Sequence, residues 1–216
     1  MRPGLNEWLF ALWYPWAMYA AENSGQRKTR SRLVGQAHGR TLEIGAGNGY
    51  NLAHYTEAVT ELVVTEPSPY MMRRLRRQLA KSPPPVGSCE LVQAGAERLP
   101  YPDDSFDTVV ATFVHCTIPD SPAALCEIDR VLRPGGLYLF LEHVRAEDGT
   151  LRKLLQELLV RPHRLLCGGC HPNRDTEAAL EASPLAIEVL EHGTMPRAFL
   201  FTVRPTILGS ARAVAH

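Results

Sequence analysis

Apolar runs of strand length alternate along the chain with stretches whose apolar residues recur at helical spacing, and this alternation predicts a parallel sheet covered by helices. The strand-like runs fall at residues 40–44, 61–66, 89–93, 106–113 and 136–144. Between them the pattern predicts helices over 25–37, 49–55, 68–81 and 120–132. Ser68 followed by Pro69 reads as a cap and first helical position, and Pro83-Pro84-Pro85 stops that helix. A second helix opens at Asp120-Ser121-Pro122 and ends at Arg133-Pro134-Gly135-Gly136.

Beyond residue 145 the pattern changes. Leu151, Leu154, Leu155, Leu158 and Leu159 lie at the spacing of one helix face, which Pro162 is expected to close. A short helix near 174–182 follows, then two strand-like runs at 185–192 and 197–204, read as an antiparallel pair at the sheet edge. The last dozen residues read as a frayed tail. The expected organisation is therefore one domain. Residues 1–37 form a helical lid, 38–145 a ligand-binding core, 146–182 a helical cap over the substrate and 183–206 the strand pair.

Charge narrows the partners. With 23 basic and 23 acidic residues the chain has no net field to draw it to nucleic acid, and the basic run Arg73, Arg74, Arg76, Arg77 lacks interleaved aromatics that could stack on bases. The expected partner is a small molecule. Five scattered cysteines, Cys89, Cys116, Cys126, Cys167 and Cys170, fit reduced thiols and a cytoplasmic setting. The apolar segment 8–21 is too short to span a bilayer and is broken by Pro15. Glu7 stands where a leader peptide would carry basic residues. A helix closing over a pocket is the expectation, with peripheral membrane contact through Trp8, Trp13 and Trp16 as the alternative. Oligomeric state is not legible.

The chemistry-bearing stretch is TLEIGAGNGYNL, residues 41–52. A strand entering a glycine-rich turn and a helix start presents backbone N–H groups to a ligand rich in acceptors. The spacing is neither G-x-G-x-x-G nor a P-loop, which leaves E-x-G-x-G-x-G from Glu43 through Gly45, Ala46 and Gly47 to Gly49, with Asn51 just beyond. Glu66 ends the next strand and is placed to accept from both hydroxyls of a ribose. A ribose without a pyrophosphate points to S-adenosylmethionine. The alternative is that the glycines only let the helix pack on the sheet while Glu66 caps the next one.

With those residues in hand, the chain resembles the class I S-adenosylmethionine-dependent methyltransferases over residues 40–144. LEIGAGNG is similar to their first motif, TEPSPYM to the acidic second-strand motif, AERLPYPDDSFDTVVATFVHC to strands three and four, and RVLRPGGLYLFLEHV to strand five. The resemblance implies a Rossmann-like α/β fold, with a mostly parallel seven-stranded sheet, helices on both faces and an antiparallel edge strand. It implies that Gly45 to Gly49 lie under the methionine part, that Glu66 binds the ribose, that Pro67 and Met71 border the adenine, and that Gly95, Ala96 and Glu97 hold its edge. Many relatives read G-D-A-E where this chain has Ala94-Gly95-Ala96-Glu97, so the usual aspartate is missing. A narrower resemblance, through FLEHVRAE and HRLLCGGCHPNRDT with Gly169, Cys170, Arg174 and Thr176, and through Thr112 with Cys116, is to the methyltransferase-like group 7 proteins, whose animal members are alkyl-thiol S-methyltransferases associated with membranes. Tyr14 falls where bacterial relatives reach the cofactor's carboxylate.

The implied reaction moves a methyl group by in-line displacement to a small apolar acceptor, a thiol first, and leaves S-adenosylhomocysteine. A phospholipid or amine acceptor is the alternative; a protein that binds the cofactor without turnover is the reading outside enzymes. His115, Glu142 and His143 sit at the carboxyl edge of the sheet and are the candidate catalytic groups. Glu142 and His143 alternate on a strand, so only one can face a given cavity. His163 and His171 lie in the cap, where histidines more often cap helices or face solvent. Cys167-Gly-Gly-Cys170-His171 lacks a second ligand pair for a closed zinc site, and no metal is expected.

Overall fold

The structure, a computed structural model, describes residues 5–195 and 200–214, together with their side chains except at 5–9, 11, 15 and 17. It opens with α1 (Leu5–Ala21), joined to α2 (Arg27–Val34) through residues 22–26, where Gly25 takes a φ of 128°. The core strands are β1 (Gly39–Ile44), β2 (Val59–Thr65), β3 (Cys89–Val92), β4 (Phe106–Thr112) and β5 (Leu132–His143). The helices α3 (Pro69–Lys81) and α4 (Ser121–Val131) connect them. After β5 come α5 (Leu151–Leu166), α6 (Thr176–Glu181), β6 (Ala186–Thr194) and β7 (Pro205–Arg212).

The strands form one sheet in the order β3-β2-β1-β4-β5-β7-β6. The first five run parallel, while β7 inserts antiparallel between β5 and β6. Side-chain alternation sorts the buried residues into two layers. Leu42, Ile44, Val109, Ala111, Tyr138 and Phe140 pack with α4 and α6 on one face. Leu62, Val64, Val110, Leu139 and Leu141 pack with α2 and α3 on the other. The strand order reverses between β1 and β4, and in open α/β sheets the crevice at the carboxyl ends there is where ligands bind.

The caps of α3 and α4 are as the sequence predicts. The Ser68 side chain accepts from Met71 N–H and Asp120 from Ala123 N–H, each ahead of a proline in the first turn. Three expectations are corrected. No α-helix follows the glycine loop: residues 49–54 make successive i→i−3 turns ending in a single 3₁₀ turn, so no helix start faces the crevice there. Pro162 does not close α5, which runs four residues further; proline forfeits one ladder bond without ending the helix.

The leucine face of α5 is turned away from the core. Leu151, Leu154, Leu158 and Leu159 are exposed, while Gln156 and His163 are buried. Gln156 sets this rotation: its Nε2 reaches the carbonyls of Val144, Pro172 and Thr202, and its Oε1 accepts from Ala146 N–H. Turning the leucines inward would leave those buried backbone groups unpaired, at about 1–3 kcal/mol each.

The last correction concerns the C-terminal pair. The second strand is 205–212, not 197–204, and the supposed tail is an interior strand; of the earlier segment, 201–203 is a 3₁₀ turn and 196–199 lie outside the described residues. One of the small residues that disguised it, Gly209, is required. A Cβ at Gly209 would overlap the Val189 carbonyl and crowd the Phe140 ring. No helix among the described residues is long and apolar enough to cross a membrane.

Candidate functional site

A cavity of about 570 Å³ opens at the switch point, within the range of small-molecule and cofactor sites. Gly45 and Gly47 form part of its floor, Glu66, Pro67, Ser68 and Met71 one wall, and Gly95, Ala96 and Glu97 the next. Phe10, Trp13, Tyr14 and Met18 of α1 cover it, and the turn from Cys167 to Cys170 closes the far side. Trp13 is turned inward, its Nε1–H donating to the Leu166 carbonyl, so it shares no outer face with the exposed Trp16. The side chain of Trp8 lies outside the described residues.

The glycine loop folds onto the acidic residue. Gly45 and Gly47 both hold positive φ, and Gly47 N–H donates to Glu66 Oε2 at 2.8 Å while Ser68 N–H donates to Oε1 at 2.8 Å. A carboxylate that accepts from two backbone donors is held in a fixed orientation at the cavity wall. At Gly47 no atom lies within 4 Å of where a Cβ would stand, so the loop leaves open space beside Glu66. Gly47→Ala is expected to cost about 1–2 kcal/mol through the left-handed conformation alone, seen as a lower urea midpoint. An unchanged midpoint would mean that the loop adopts another conformation.

Several expected site residues lie beneath the cavity rather than on it. Glu43 is buried and accepts from Asn51 Nδ2 at 3.0 Å and Tyr55 Oη at 2.8 Å, with burial pushing its pKa up to about 7. Asn51 also donates to Thr112 Oγ1, and neither residue lines the cavity. Arg30, which nothing in the sequence singled out, joins this set. Buried at 2% exposure, it reaches Glu22 through Nε and both Asn51 Oδ1 and Thr112 Oγ1 through Nη1, each at 2.8 Å. The set braces the loop from below and ties it to residue 22. Ala46 and Gly49 belong to the loop without lining the cavity.

Two candidate catalytic groups are displaced by packing. His115 is fully buried away from the cavity, its ring between Ser121 Oγ at 2.8 Å and Tyr138 Oη at 2.7 Å, and burial pulls its pKa down to about 3. A ring so enclosed and kept neutral supports the β4–α4 junction and has no route to an acceptor. Glu142, on the opposite side of β5 from His143, accepts from Val114 and His115 N–H, and burial raises it to about 7. His143 alone of the three lines the cavity.

His143 has company that spacing could not reveal. Its Nε2 lies 3.1 Å from Cys170 Sγ, and Cys116 completes a buried group of three whose donor atoms fall within 4.8 Å of one another. Burial works against a charged His143 ring, but the Cys116 thiol and the Glu142 carboxylate outweigh it and the net shift is upward. The thiol of Cys116 is pushed well up, by its contact with Cys170 and by burial. Arg174 fixes the segment after Cys170 by donating to the Ile118 carbonyl at 2.7 Å. His163 reaches the cavity edge, whereas His171 does not line it.

The family described as a methyltransferase domain matches residues 42–140. The chain is 29% identical to the thiol S-methyltransferase TMT1A of Homo sapiens over 219 residues, covering 96% of this chain and 89% of that protein. It is 32% identical to a phosphatidylethanolamine N-methyltransferase of Cereibacter sphaeroides over 193 residues, 87% of this chain and 91% of that one. The crystal structure of the YcgJ protein from Bacillus subtilis superposes with a TM-score of 0.67 at 20% identity, covering 90% of this chain and all of that one, and shares the mostly parallel Rossmann-like sheet.

Proposed function

The chain belongs to the class I S-adenosylmethionine-dependent methyltransferases, and from that membership we propose that it transfers the methyl group to a small apolar thiol. The observation that carries this reading is the cavity's composition. Beyond the Glu66 wall it is roofed by Phe10, Trp13 and Met18, and its polar corner is Cys116, His143 and Cys170, with no carboxylate there among the described residues to hold an ammonium group. The likeness to a thiol S-methyltransferase over most of both chains supports the same acceptor.

When bound, S-adenosylmethionine supplies a methyl group on a positively charged sulfur. Glu66 is assigned to the ribose hydroxyls, Pro67 and Met71 to the edges of the adenine, Gly95 to Glu97 to its rim, Gly45 and Gly47 to the methionine part, and Tyr14 to its carboxylate. The residues of α1 and the turn 167–170 exclude water, which aligns the reactants and strengthens every charge interaction inside. Even a thiol as acidic as a cysteine side chain, with a pKa of about 8.5, is only a few per cent ionised at neutral pH and a simple alkyl thiol less, so the Cys116–His143–Cys170 corner must favour the thiolate.

Incubating the protein with labelled S-adenosylmethionine and a panel of alkyl thiols, amines and phenols tests this. Label is expected in the thioethers. Label only in amines, or only in phosphatidylethanolamine vesicles, would transfer the assignment to N-methylation, which the Cereibacter relative favours.

A further inference from the structure

Three soft or borderline ligands meet at one wall of the cavity although they are far apart in sequence. Cys116 follows β4, His143 ends β5 and Cys170 follows α5. Their exposures are 3%, 4% and 7%. The backbone fixes the meeting: His171 N–H donates to the Cys116 carbonyl at 2.8 Å, and Cys170 N–H donates to the Cys167 carbonyl at 3.1 Å. Between those two cysteines Gly168 and Gly169 both take positive φ, so the turn is held and its thiol aimed rather than left to roam.

We propose that Cys116, His143 and Cys170 bind one zinc ion, with a fourth position open to the cavity that takes the sulfur of the acceptor thiol. This deepens the thiol reading above and rests on it for the acceptor. Around a tetrahedral zinc, sulfur and nitrogen ligands stand about 3.5–3.8 Å apart, and these donor atoms already lie within 4.8 Å of one another without an ion. Two thiolates and an imidazole suit zinc among common metals. Three protein ligands with an open position make a catalytic site, whereas a structural site closes with a fourth.

The second observation is an orphaned atom. One ring nitrogen of His143, Nε2, contacts Cys170 and the other, Nδ1, is buried with no hydrogen-bond partner among the described residues. Zinc would take Nε2, the nitrogen beside Cys170, and leave Nδ1 to an ordered water or a group of the bound reactants, since one imidazole gives an ion one nitrogen. A cavity whose lining is otherwise mostly apolar has little other use for a pair of thiols and an imidazole in contact.

The chemistry balances. Two cysteine protons and the acceptor's own proton leave to water as the three sulfurs bind, since only thiolates ligate. The acceptor sulfur, held as a zinc thiolate, then forms its bond to the methyl carbon while the donor's carbon–sulfur bond breaks and that electron pair stays on the donor sulfur. The neutral thioether is a poor ligand and leaves, and another thiol takes its place.

Elemental analysis of the full-length protein, reduced with a phosphine, equilibrated with zinc and desalted, is expected to find about one zinc per chain. Cys116→Ser and Cys170→Ser should each lose it, and Cys126→Ser, at an exposed cysteine, should keep it. Retained thermal stability and cofactor binding in the serine variants separate loss of metal from loss of fold. Cobalt(II) in place of zinc should show a thiolate charge-transfer band that shifts when butanethiol is added without the cofactor. The proposal is overturned if the wild type holds no more zinc than the double serine variant, or if butanethiol leaves the cobalt spectrum unchanged. Metal-free protein that methylates thiols at the full rate would likewise overturn it while leaving the acceptor assignment standing. A cobalt band that shifts with butanethiol, with no thioether formed on adding cofactor, would uphold the site and remove the acceptor assignment.

Discussion

Arg30→Met is expected to destabilise the fold by about 3–5 kcal/mol, the range for removing one partner of a buried ionic network. The side chain is 2% exposed, its three polar contacts are each 2.8 Å, and its guanidinium lies over the rings of Tyr50 and Phe113. Methionine fills the space but strands the Glu22 carboxylate and the Asn51 amide oxygen, and leaves the Thr112 hydroxyl with its Asn51 donor in place of two. At about 2–4 °C per kcal/mol for a domain of this size, melting should fall by roughly 6–20 °C. Arg30→Lys keeps a charge without the planar fork and should lie between the two. Since Arg30 does not line the cavity, cofactor should still raise the melting temperature of either variant. A fall of less than about 2 °C would mean that the network is not what joins residue 22 to the glycine loop.

Glu66→Ala is expected to weaken S-adenosylmethionine binding by about 1–3 kcal/mol, or roughly 5- to 150-fold in the dissociation constant. Two effects add. The ribose loses a charged acceptor, and the N–H groups of Gly47 and Ser68 lose the carboxylate that holds the loop against the wall. Glu66→Gln separates them, for it keeps one acceptor oxygen and most of the shape but no charge. Calorimetric titration should therefore rank wild type, Gln and Ala in order of falling affinity. Equal affinities across the series would place the ribose elsewhere in the cavity.

Local chemistry was readable wherever it dictated local structure. Ser68-Pro69 and Asp120-Ser121-Pro122 start helices because each supplies a cap and a fixed φ, whatever surrounds them. Glu66 was placed correctly on the cavity wall because a residue ending a central parallel strand can only stand at the carboxyl edge. What escaped depends on distant partners. Periodicity put the α5 leucines on one face, but which way that face turns is set by Gln156, which meets backbone groups from three separate segments that no helix pattern records. His115 and His143 looked alike in sequence. Tyr138 and Ser121 enclose the one, and Cys116 and Cys170 meet the other. β7 was hidden by Gly209, Ser210 and Ala211, and the smallness of Gly209 reflects crowding between strands rather than disorder.

The rotation of α5 has a practical outcome. Because the helix is anchored from its inner side, at Gln156 and His163, the outward leucines at 151, 154, 158 and 159 carry little of the folding energy, and polar replacements there should change it by no more than about 0.5 kcal/mol. A fluorescent probe attached at position 158 would thus sit on a rigid support yet sense only the medium outside, reporting on whatever touches that surface while the pocket beneath continues undisturbed.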